Sequence, residues 1–204
     1  MLLGNDLRIM SPKTLSIINN PAIIAISQDP RGRPVHRIFR NATVAKDQFG
    51  IGETHIWSGP LANGDQVVIF LNAANEGVDM EASLEEIFVS EGVEVTAPQV
   101  AQEWQIHDLW ANRMSDSNSE AVLKATSAQE RSEIFTKLNW YNSTQTPYAK
   151  GLEEDDSRLF GAKVGTVSPH GIIQTHVERH SAKVFRLRSG NGKHGRKSLL
   201  KQEL

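Results

Sequence analysis

Cysteine is absent from this sequence of 204 residues, which excludes a disulfide framework, a thiolate metal site and a cysteine nucleophile. No apolar run reaches the roughly 18 residues that a membrane-spanning helix requires. Asp6 stands where a secretory signal peptide would have its apolar segment, so the chain as written shows no leader. A net charge of −2 argues against a nucleic-acid partner. We expect no membrane partner either, and a globular chain with one good core or two small ones.

Residues 55–57 and 66–71 read as the two strands of a β-hairpin. The second segment is an unbroken run of β-branched and aromatic residues, which is typical of a strand covered on at least one face. Pro60 and the sequence Asn63-Gly64-Asp65 supply turn residues between the two segments. We therefore expect this hairpin to form the central wall of a β-sheet.

Short segments with strand character recur along much of the remaining chain, and turn residues separate most of them. These segments are residues 35–40, 102–106, 159–167, 172–177 and 183–188. Six or more short strands without long helices predict an antiparallel β-sandwich. Ser83 followed by Glu86 is a capping-box pattern and predicts one helical turn. The polar residues 115–137 predict an insertion or short helix over the surface of the sandwich.

The first part of the chain has a β–α–β pattern instead. Residues 2–5 read as the end of a strand, Ser11-Pro12 as the start of a helix, and the apolar residues 22–26 as a second strand. The chain between the two strands is long enough for a parallel crossover. Two parallel strands do not make a stable sheet, so we expect the others to precede Met1 or the unit to pair with something else.

A series of motifs runs along the chain. They are GNDLR at residues 4–8, IWSGPL at 56–61, NGDQVV at 63–68, LEEIF at 84–88, DLWANR at 108–113, RLFG at 158–161 and FRLR at 185–188. Over residues 2–188 this series resembles the closing part of glycoside hydrolase family 27, the α-galactosidases, and within it the secreted fungal melibiases. One departure is residues 178–181, ERHS, where the family usually has a turn similar to Pro-Ala-His-Gly.

The resemblance implies a mainly β fold class: a C-terminal antiparallel β-sandwich preceded by a β-α-β remnant of a (β/α)8 barrel. Residues 1–30 would be the last two strands of the catalytic barrel, with residues 2–5 and 22–27 as those strands. Residues 31–188 would be the β-sandwich. We expect residues 189–204, which are rich in glycine and lysine, to be a disordered basic tail.

The activity that the resemblance implies is hydrolysis, with retention, of terminal non-reducing α-D-galactose in galactosides such as melibiose and raffinose, without a cofactor. The two catalytic aspartates of the family lie on earlier barrel strands, and neither of their motifs occurs here. The resemblance therefore implies no catalytic residue in this chain, and we expect the chain alone to be inactive, with α-galactosides bound through the missing barrel.

Asp6 and Asp29 are the carboxylate pair that invites a catalytic interpretation, because both would end adjacent parallel strands, where barrel active sites are built. We favour a structural interpretation instead. Asp6 and Arg8 would form an ion pair or hydrogen-bond network that holds the strand end, and Asp29 would tie down the turn at Pro30.

The histidines show no spacing typical of metal ligands, so we expect no metal site. They are His36, His55, His107, His170, His176, His180 and His194. Ser58 lacks the elbow of a nucleophilic serine. The tryptophans could stack on sugars, although a core role is favoured for the two in strands. They are Trp57, Trp104, Trp110 and Trp140.

Two N-glycosylation sequons, at Asn41 and Asn142, fit a protein of the secretory pathway. The resemblance likewise implies secretion of the full-length family member. The terminal KQEL is one residue away from an ER-retention signal, and we read it as coincidence. An alternative function stays open: a separate, non-catalytic β-sandwich that binds carbohydrate or a protein partner. The sequence does not predict an oligomeric state.

Overall fold

The computed structural model describes residues 9–88 and 98–189, and these form two compact units. The first unit takes its described residues from 9–30 and 109–162 and is mainly helical. The second takes them from 31–88, 98–108 and 163–189 and consists mainly of strands.

The helices, in chain order, are α1 (Pro12–Ile18), α2 (Pro21–Ser27), α3 (Leu84–Ile87), α4 (Asp116–Lys124), α5 (Ala128–Lys137) and α6 (Tyr148–Glu153). The strands are β1 (His36–Asn41), β2 (Thr54–Pro60), β3 (Gln66–Asn72), β4 (Val78–Ser83), β5 (Trp104–Asp108), β6 (Ala162–Val167), β7 (Ile172–Val177) and β8 (Ser181–Ser189). Short 3₁₀ turns cover Ala62–Gly64, Pro98–Ala101, Leu109–Asn112 and Ser157–Leu159.

Helix α1 begins where the sequence predicts. Ser11 is its N-cap, its hydroxyl accepts a hydrogen bond from the backbone N–H of Thr14 at 3.1 Å, and Pro12 occupies the first turn. This arrangement satisfies one of the backbone donors that a helix start leaves unpaired.

The strand predicted at residues 22–26, extended by the resemblance to 22–27, is wrong because these residues form α2. Asn20 caps the helix by accepting hydrogen bonds from the backbone N–H groups of Ala22 at 3.0 Å and Ile23 at 3.4 Å, and Pro21 opens the first turn. A short apolar run has no periodicity that separates a buried helix from a buried strand, so the cap decides. The other predicted barrel strand, residues 2–5, lies outside the described residues.

The first unit includes a segment that the sequence places over the sandwich. Residues 115–137, expected as a cover over the sandwich, form α4 and α5 in this unit, where α4 packs on both α1 and α5. The β-sandwich therefore does not run without interruption over residues 31–188. The unit has its own core, formed by Ala25, Tyr141, Leu152, Leu159 and Phe160.

Two hydrogen-bonded links hold the first unit together across long sequence separations. The Asn20 side chain donates to the carbonyl of Leu109 at 3.0 Å. The Asn112 side chain donates to the carbonyl of Arg158 at 2.8 Å, and so joins two of the sequence motifs named above.

The second unit is the predicted antiparallel β-sandwich. A six-stranded sheet has the order β1-β2-β3-β8-β5-β6, and a two-stranded sheet pairs β4 with β7. The strands predicted for the sandwich are confirmed within a few residues, except that the predicted segment 159–167 begins in a 3₁₀ turn.

The central hairpin is confirmed, with β2 and β3 antiparallel from Thr54 opposite Asn72 to Pro60 opposite Gln66. Asn63 (φ 61°) and Gly64 (φ 75°) adopt the left-handed conformation in the connection, which asparagine and glycine tolerate best. β8 pairs along the other side of β3, so β3 lies inside the sheet.

The core of the sandwich lies between the two sheets. Its largest members are Ile56, Phe70, Trp104 and Phe185 from the larger sheet, which meet Met80 from the smaller sheet. Trp104 is 1% exposed, stacks on Phe88 and donates to the carbonyl of Gln99 at 2.8 Å, so it serves the core and not a sugar surface. Helix α3 closes the core with Leu84 and Ile87, and both hydrogen bonds of its predicted Ser83–Glu86 capping box are present.

Candidate functional site

Among the residues predicted at the barrel strand ends, Asp29 lies in the described part of the chain, whereas Asp6 and Arg8 lie outside it. Asp29 follows the C-terminus of α2, and its backbone N–H donates to the carbonyl of Ile26 at 3.4 Å. Its side chain is buried, with 8% of the residue exposed. Since Asp29 follows a helix and not a parallel strand, the reason for pairing it with Asp6 as a catalytic dyad no longer holds.

Several carboxylates bind cationic or imidazole side chains. Two guanidinium nitrogens of Arg40 donate hydrogen bonds to the carboxylate of Glu53, and Nε2 of His55 lies 2.7 Å from Oε2 of Glu53. These hydrogen bonds, first from Arg40 and then from His55, lower the pKa of Glu53 to about 2. In the first unit, hydrogen bonds from Arg158 lower the pKa of Asp156, with Nε 2.9 Å from Oδ1.

These shifts matter for glycoside hydrolysis. The general acid of a glycosidase needs a carboxyl group that stays protonated near neutral pH, and therefore a raised pKa. The pKa of Glu85 is lowered as well, because Glu85 accepts a hydrogen bond from His170, and a general acid would need a raised pKa. Glu53, Glu85 and Asp156 are thus ion-pair partners, and none of the three suits the role of general acid.

A groove of about 290 Å³ opens within the second unit, between the edge of the larger sheet and the smaller sheet. Strands β1 and β2 line one side through Phe39, Asn41, Thr54 and Ile56. The other side is lined by Val78, Asp79, Met80, Glu81, Ser83, Glu86 and Ile172. The lining combines apolar side chains such as Phe39, Ile56 and Ile172 with polar ones such as Asn41 and Thr54, a composition that suits an amphipathic ring such as a sugar.

The two sequons lie in different settings. Asn41 is half-buried at the end of β1 and lines the groove, whereas Asn142 is exposed at a turn between α5 and α6. In both, Oδ1 of the asparagine accepts a hydrogen bond from the backbone N–H two residues later, at 2.8 Å from Thr43 and 3.0 Å from Thr144. Each asparagine therefore forms a turn in which its side chain is hydrogen-bonded to its own backbone segment.

In residues 9–88 and 98–189, no group of three or more histidine and acidic side chains is placed to hold a metal ion. None of the helices in the same ranges is long and apolar enough to cross a bilayer. His55, His170 and His176 each lie next to a carboxylate, and in His176 the Nδ1 atom lies 2.7 Å from Oδ1 of Asp79.

Sequence reasoning missed the groove and the place of Asn41 in it. A signal was present, because Phe39 lies in the strand predicted at residues 35–40 and Asn41 comes two residues later; once the strand extends to Asn41, the two side chains point to the same face. The lining from β4 and β7 could not be found this way, since it depends on how the two sheets face each other.

Comparisons with known proteins agree with this fold. A family model described as "Alpha galactosidase C-terminal beta sandwich domain" matches residues 51–129. The chain is 40% identical over 193 residues to an α-galactosidase of Saccharomyces paradoxus, which covers 94% of this chain and 39% of that protein.

Among solved structures, the chain is similar to α-galactosidase from Saccharomyces cerevisiae, with a TM-score of 0.83 and 36% identity over 93% of this chain and 40% of that one. It is also similar to the structure of a Saccharomyces cerevisiae α-galactosidase with raffinose, with a TM-score of 0.83 and 37% identity. The chain spans about two fifths of the length of these relatives.

Proposed function

We propose that this chain functions as the C-terminal part of an α-galactosidase. The chain belongs to the family of the yeast α-galactosidases and matches their C-terminal portion. The enzyme would remove terminal non-reducing α-D-galactose from galactosides with retention of configuration. The observation that carries the proposal is the TM-score of 0.83 over 93% of the chain at 36% identity with an enzyme of that activity.

In this proposal the reaction takes place outside the residues of this chain. Retaining hydrolysis requires two carboxyl groups about 5–5.5 Å apart, one as nucleophile and one as acid and base. The pKa shifts of Glu53, Glu85 and Asp156 run against the second role. Residues 1–30 would be the closing segment of the catalytic barrel, with α2 in place of the expected last strand, and Asp6, Arg8 and Asp29 would orient that segment without exchanging protons with substrate.

The substrates would be α-galactosides of the raffinose and melibiose type, by analogy with the Saccharomyces cerevisiae α-galactosidase solved with raffinose. No cofactor is required, since carboxyl groups supply both the nucleophile and the proton. We further propose that the full-length protein is a secreted glycoprotein, which the sequons at Asn41 and Asn142 support.

A chimeric enzyme tests the proposal. The 204 residues replace the matching C-terminal portion of the Saccharomyces paradoxus α-galactosidase, and the chimera is assayed with p-nitrophenyl α-D-galactoside, with the β-anomer as control. We expect hydrolysis of the α-anomer only, and no turnover by the 204-residue chain alone. A chimera that is folded by circular dichroism but inactive would contradict the proposal, as would turnover by the isolated chain.

A second candidate is a separate, non-catalytic β-sandwich that binds carbohydrate or a protein partner. The core that the second unit forms between its own two sheets favours it, because such a unit needs no barrel to bury its apolar face. Isothermal titration of the isolated chain with raffinose distinguishes the candidates: micromolar binding without turnover favours the separate module.

A further inference from the structure

The sequon at Asn41 has an aromatic residue two positions before the asparagine, on the same face of the strand. β1 pairs with β2 so that Phe39 lies opposite Ile56 and Asn41 opposite Thr54, and all four line the groove. Arg40, between them, lies opposite His55 and turns to the other face, where it binds Glu53.

Phe39, the aromatic residue of the groove lining, is 42% exposed to solvent. On the opposite wall, Ile172 is 54% exposed, whereas Met80, also a lining residue, is 6% exposed. An apolar ring and an apolar side chain thus face a gap that is open to solvent. Covering such a surface with an amphipathic group lowers the free energy of the protein in water.

The contacts between Asn41 and Thr43 in the folded chain are compatible with a sugar on the asparagine. Oδ1 of Asn41 accepts hydrogen bonds from the backbone N–H of Thr43 at 2.8 Å and from its hydroxyl at 2.6 Å. Both bonds use the oxygen, so they do not engage Nδ2, the atom that would carry the sugar. Because transfer to a sequon takes place on a nascent chain, the half-buried position of Asn41 in the folded strand does not prevent it.

We propose that Asn41 carries an N-linked glycan whose first N-acetylglucosamine docks in this groove against the ring of Phe39. The inference rests on the proposed passage of the protein through the secretory pathway. In the attachment step, a bond forms between Nδ2 of Asn41 and C1 of the sugar of a lipid-pyrophosphate-linked oligosaccharide. The C1–O bond to the pyrophosphate breaks, the lipid pyrophosphate leaves with the electron pair, and one proton leaves Nδ2.

The groove offers each part of that sugar a matching contact. The C–H face of the ring covers Phe39, and Ile172 closes the apolar side. Thr54 and Glu86 lie in the same lining. Because Oε2 of Glu86 accepts from Ser83 in the capping box, the Thr54 hydroxyl and Oε1 of Glu86 are the groups that can exchange hydrogen bonds with the hydroxyl and acetamide groups. A covalently attached sugar is present at a high effective concentration, so even weak contacts of this kind hold it in place.

The test uses the whole chain with one sequon at a time. The Asn142→Gln chain is secreted from a yeast behind a cleavable leader and trimmed with endoglycosidase H to a single N-acetylglucosamine. The same sequence made in bacteria is the unglycosylated reference. We expect mass spectrometry to locate the sugar on Asn41 and the sugar to raise Tm by about 2–4 °C, the size of shift that one modest contact produces in a chain of this length.

Phe39→Leu tests the docking itself, because leucine keeps an apolar side chain but removes the aromatic ring. With Phe39 in place, the acetamide methyl resonance should shift upfield and show nuclear Overhauser contacts to the ring. The variant should lose the upfield shift and most of the gain in Tm. In the matched Asn41→Gln chain, whose sugar lies on the exposed Asn142, Phe39→Leu should not change the gain in Tm from the sugar.

Three outcomes would overturn the inference: an unmodified Asn41, equal gains in Tm for Phe39 and Phe39→Leu, or no Overhauser contact between the sugar and the groove. Binding of free raffinose or of a peptide to the unglycosylated groove, seen as shifts of Phe39 and Ile172, would assign the groove to another occupant. If Phe39→Leu fails to fold, the Overhauser contacts of the parent chain decide. None of these readouts depends on galactoside hydrolysis, so failure here is distinguishable from failure of the chimera.

Discussion

Arg186 in β8 donates a hydrogen bond from Nε to Oδ2 of Asp65 at 2.8 Å, and the two side chains are 0% and 1% exposed. Nε of Arg188 lies 3.4 Å from the same oxygen. Asp65 immediately precedes β3, and β8 is the neighbour of β3 in the sheet. The ion pair therefore ties the connection of the central hairpin to a strand 121 residues away.

Asp65→Asn should lower the free energy of unfolding by about 3–5 kcal/mol, because it removes the negative charge from the buried ion pair with Arg186. Urea denaturation followed by circular dichroism measures the effect. Asp79→Asn is the control, since the Asp79 side chain is 91% exposed, and it should change stability by less than about 1 kcal/mol. Equal effects of the two substitutions would contradict the structural role of the buried pair.

Phe70→Ala should cost about 3–5 kcal/mol, because Phe70 is 0% exposed and its removal leaves a cavity beside Phe185, whose ring centroid lies 6.0 Å away. The same denaturation experiment tests this prediction. Phe49→Ala is matched in chemistry, but Phe49 is 77% exposed, so we expect a change within about 0.5 kcal/mol. A small effect of Phe70→Ala would show that β3 is not the centre of the core.

Asn72→Ala should cost about 1–3 kcal/mol, the range for leaving buried polar groups unsatisfied. The buried Asn72 side chain donates to the carbonyls of Glu76 at 2.8 Å and Val177 at 2.9 Å, and so links β3 in one sheet to the end of β7 in the other. Asn75→Ala, at an exposed position of the same loop, serves as control. If both substitutions prove neutral in thermal unfolding, the amide does not join the two sheets.

Glu53 should make stability depend on pH. Its folded pKa of about 2 lies below the ordinary value of 4.5, so the folded protein binds fewer protons than the unfolded chain between these values. Its contribution is present above pH 4.5 and is lost as the pH falls to about 2. Glu53→Gln should therefore be less stable than the parent near pH 6 and approach it near pH 2.

Unfolding free energies measured at several pH values from 6 to 2 test this prediction, with Glu103→Gln, at an exposed position of the same unit, as control. The difference between Glu53→Gln and the parent should shrink as the pH falls, whereas the control should follow the parent throughout. A constant difference would mean that the hydrogen bonds from Arg40 and His55 do not depend on the charge of Glu53.

Local signals in the sequence predicted local structure well. The Ser83–Glu86 capping box and the β2–β3 hairpin both depend on residues close together in the chain, and both are confirmed. The strand predicted at residues 22–26 failed for an equally local reason. Asparagine as N-cap and proline in the first turn are signals for the start of a helix, and Asn20 and Pro21 begin α2 in this way.

By itself, the sequence determined that the chain builds an antiparallel β-sandwich around the β2–β3 hairpin, because alternating and continuous apolar runs, turns and caps are encoded within a few residues. Tertiary structure alone decided three further features: the placement of residues 109–162 with 9–30, the burial of Asp65 against Arg186, and the groove that joins Phe39 to Ile172. Each depends on segments far apart in the chain. No local pattern predicts that Arg186 will pair with Asp65, or that β4 and β7 will form the side of the groove opposite Phe39.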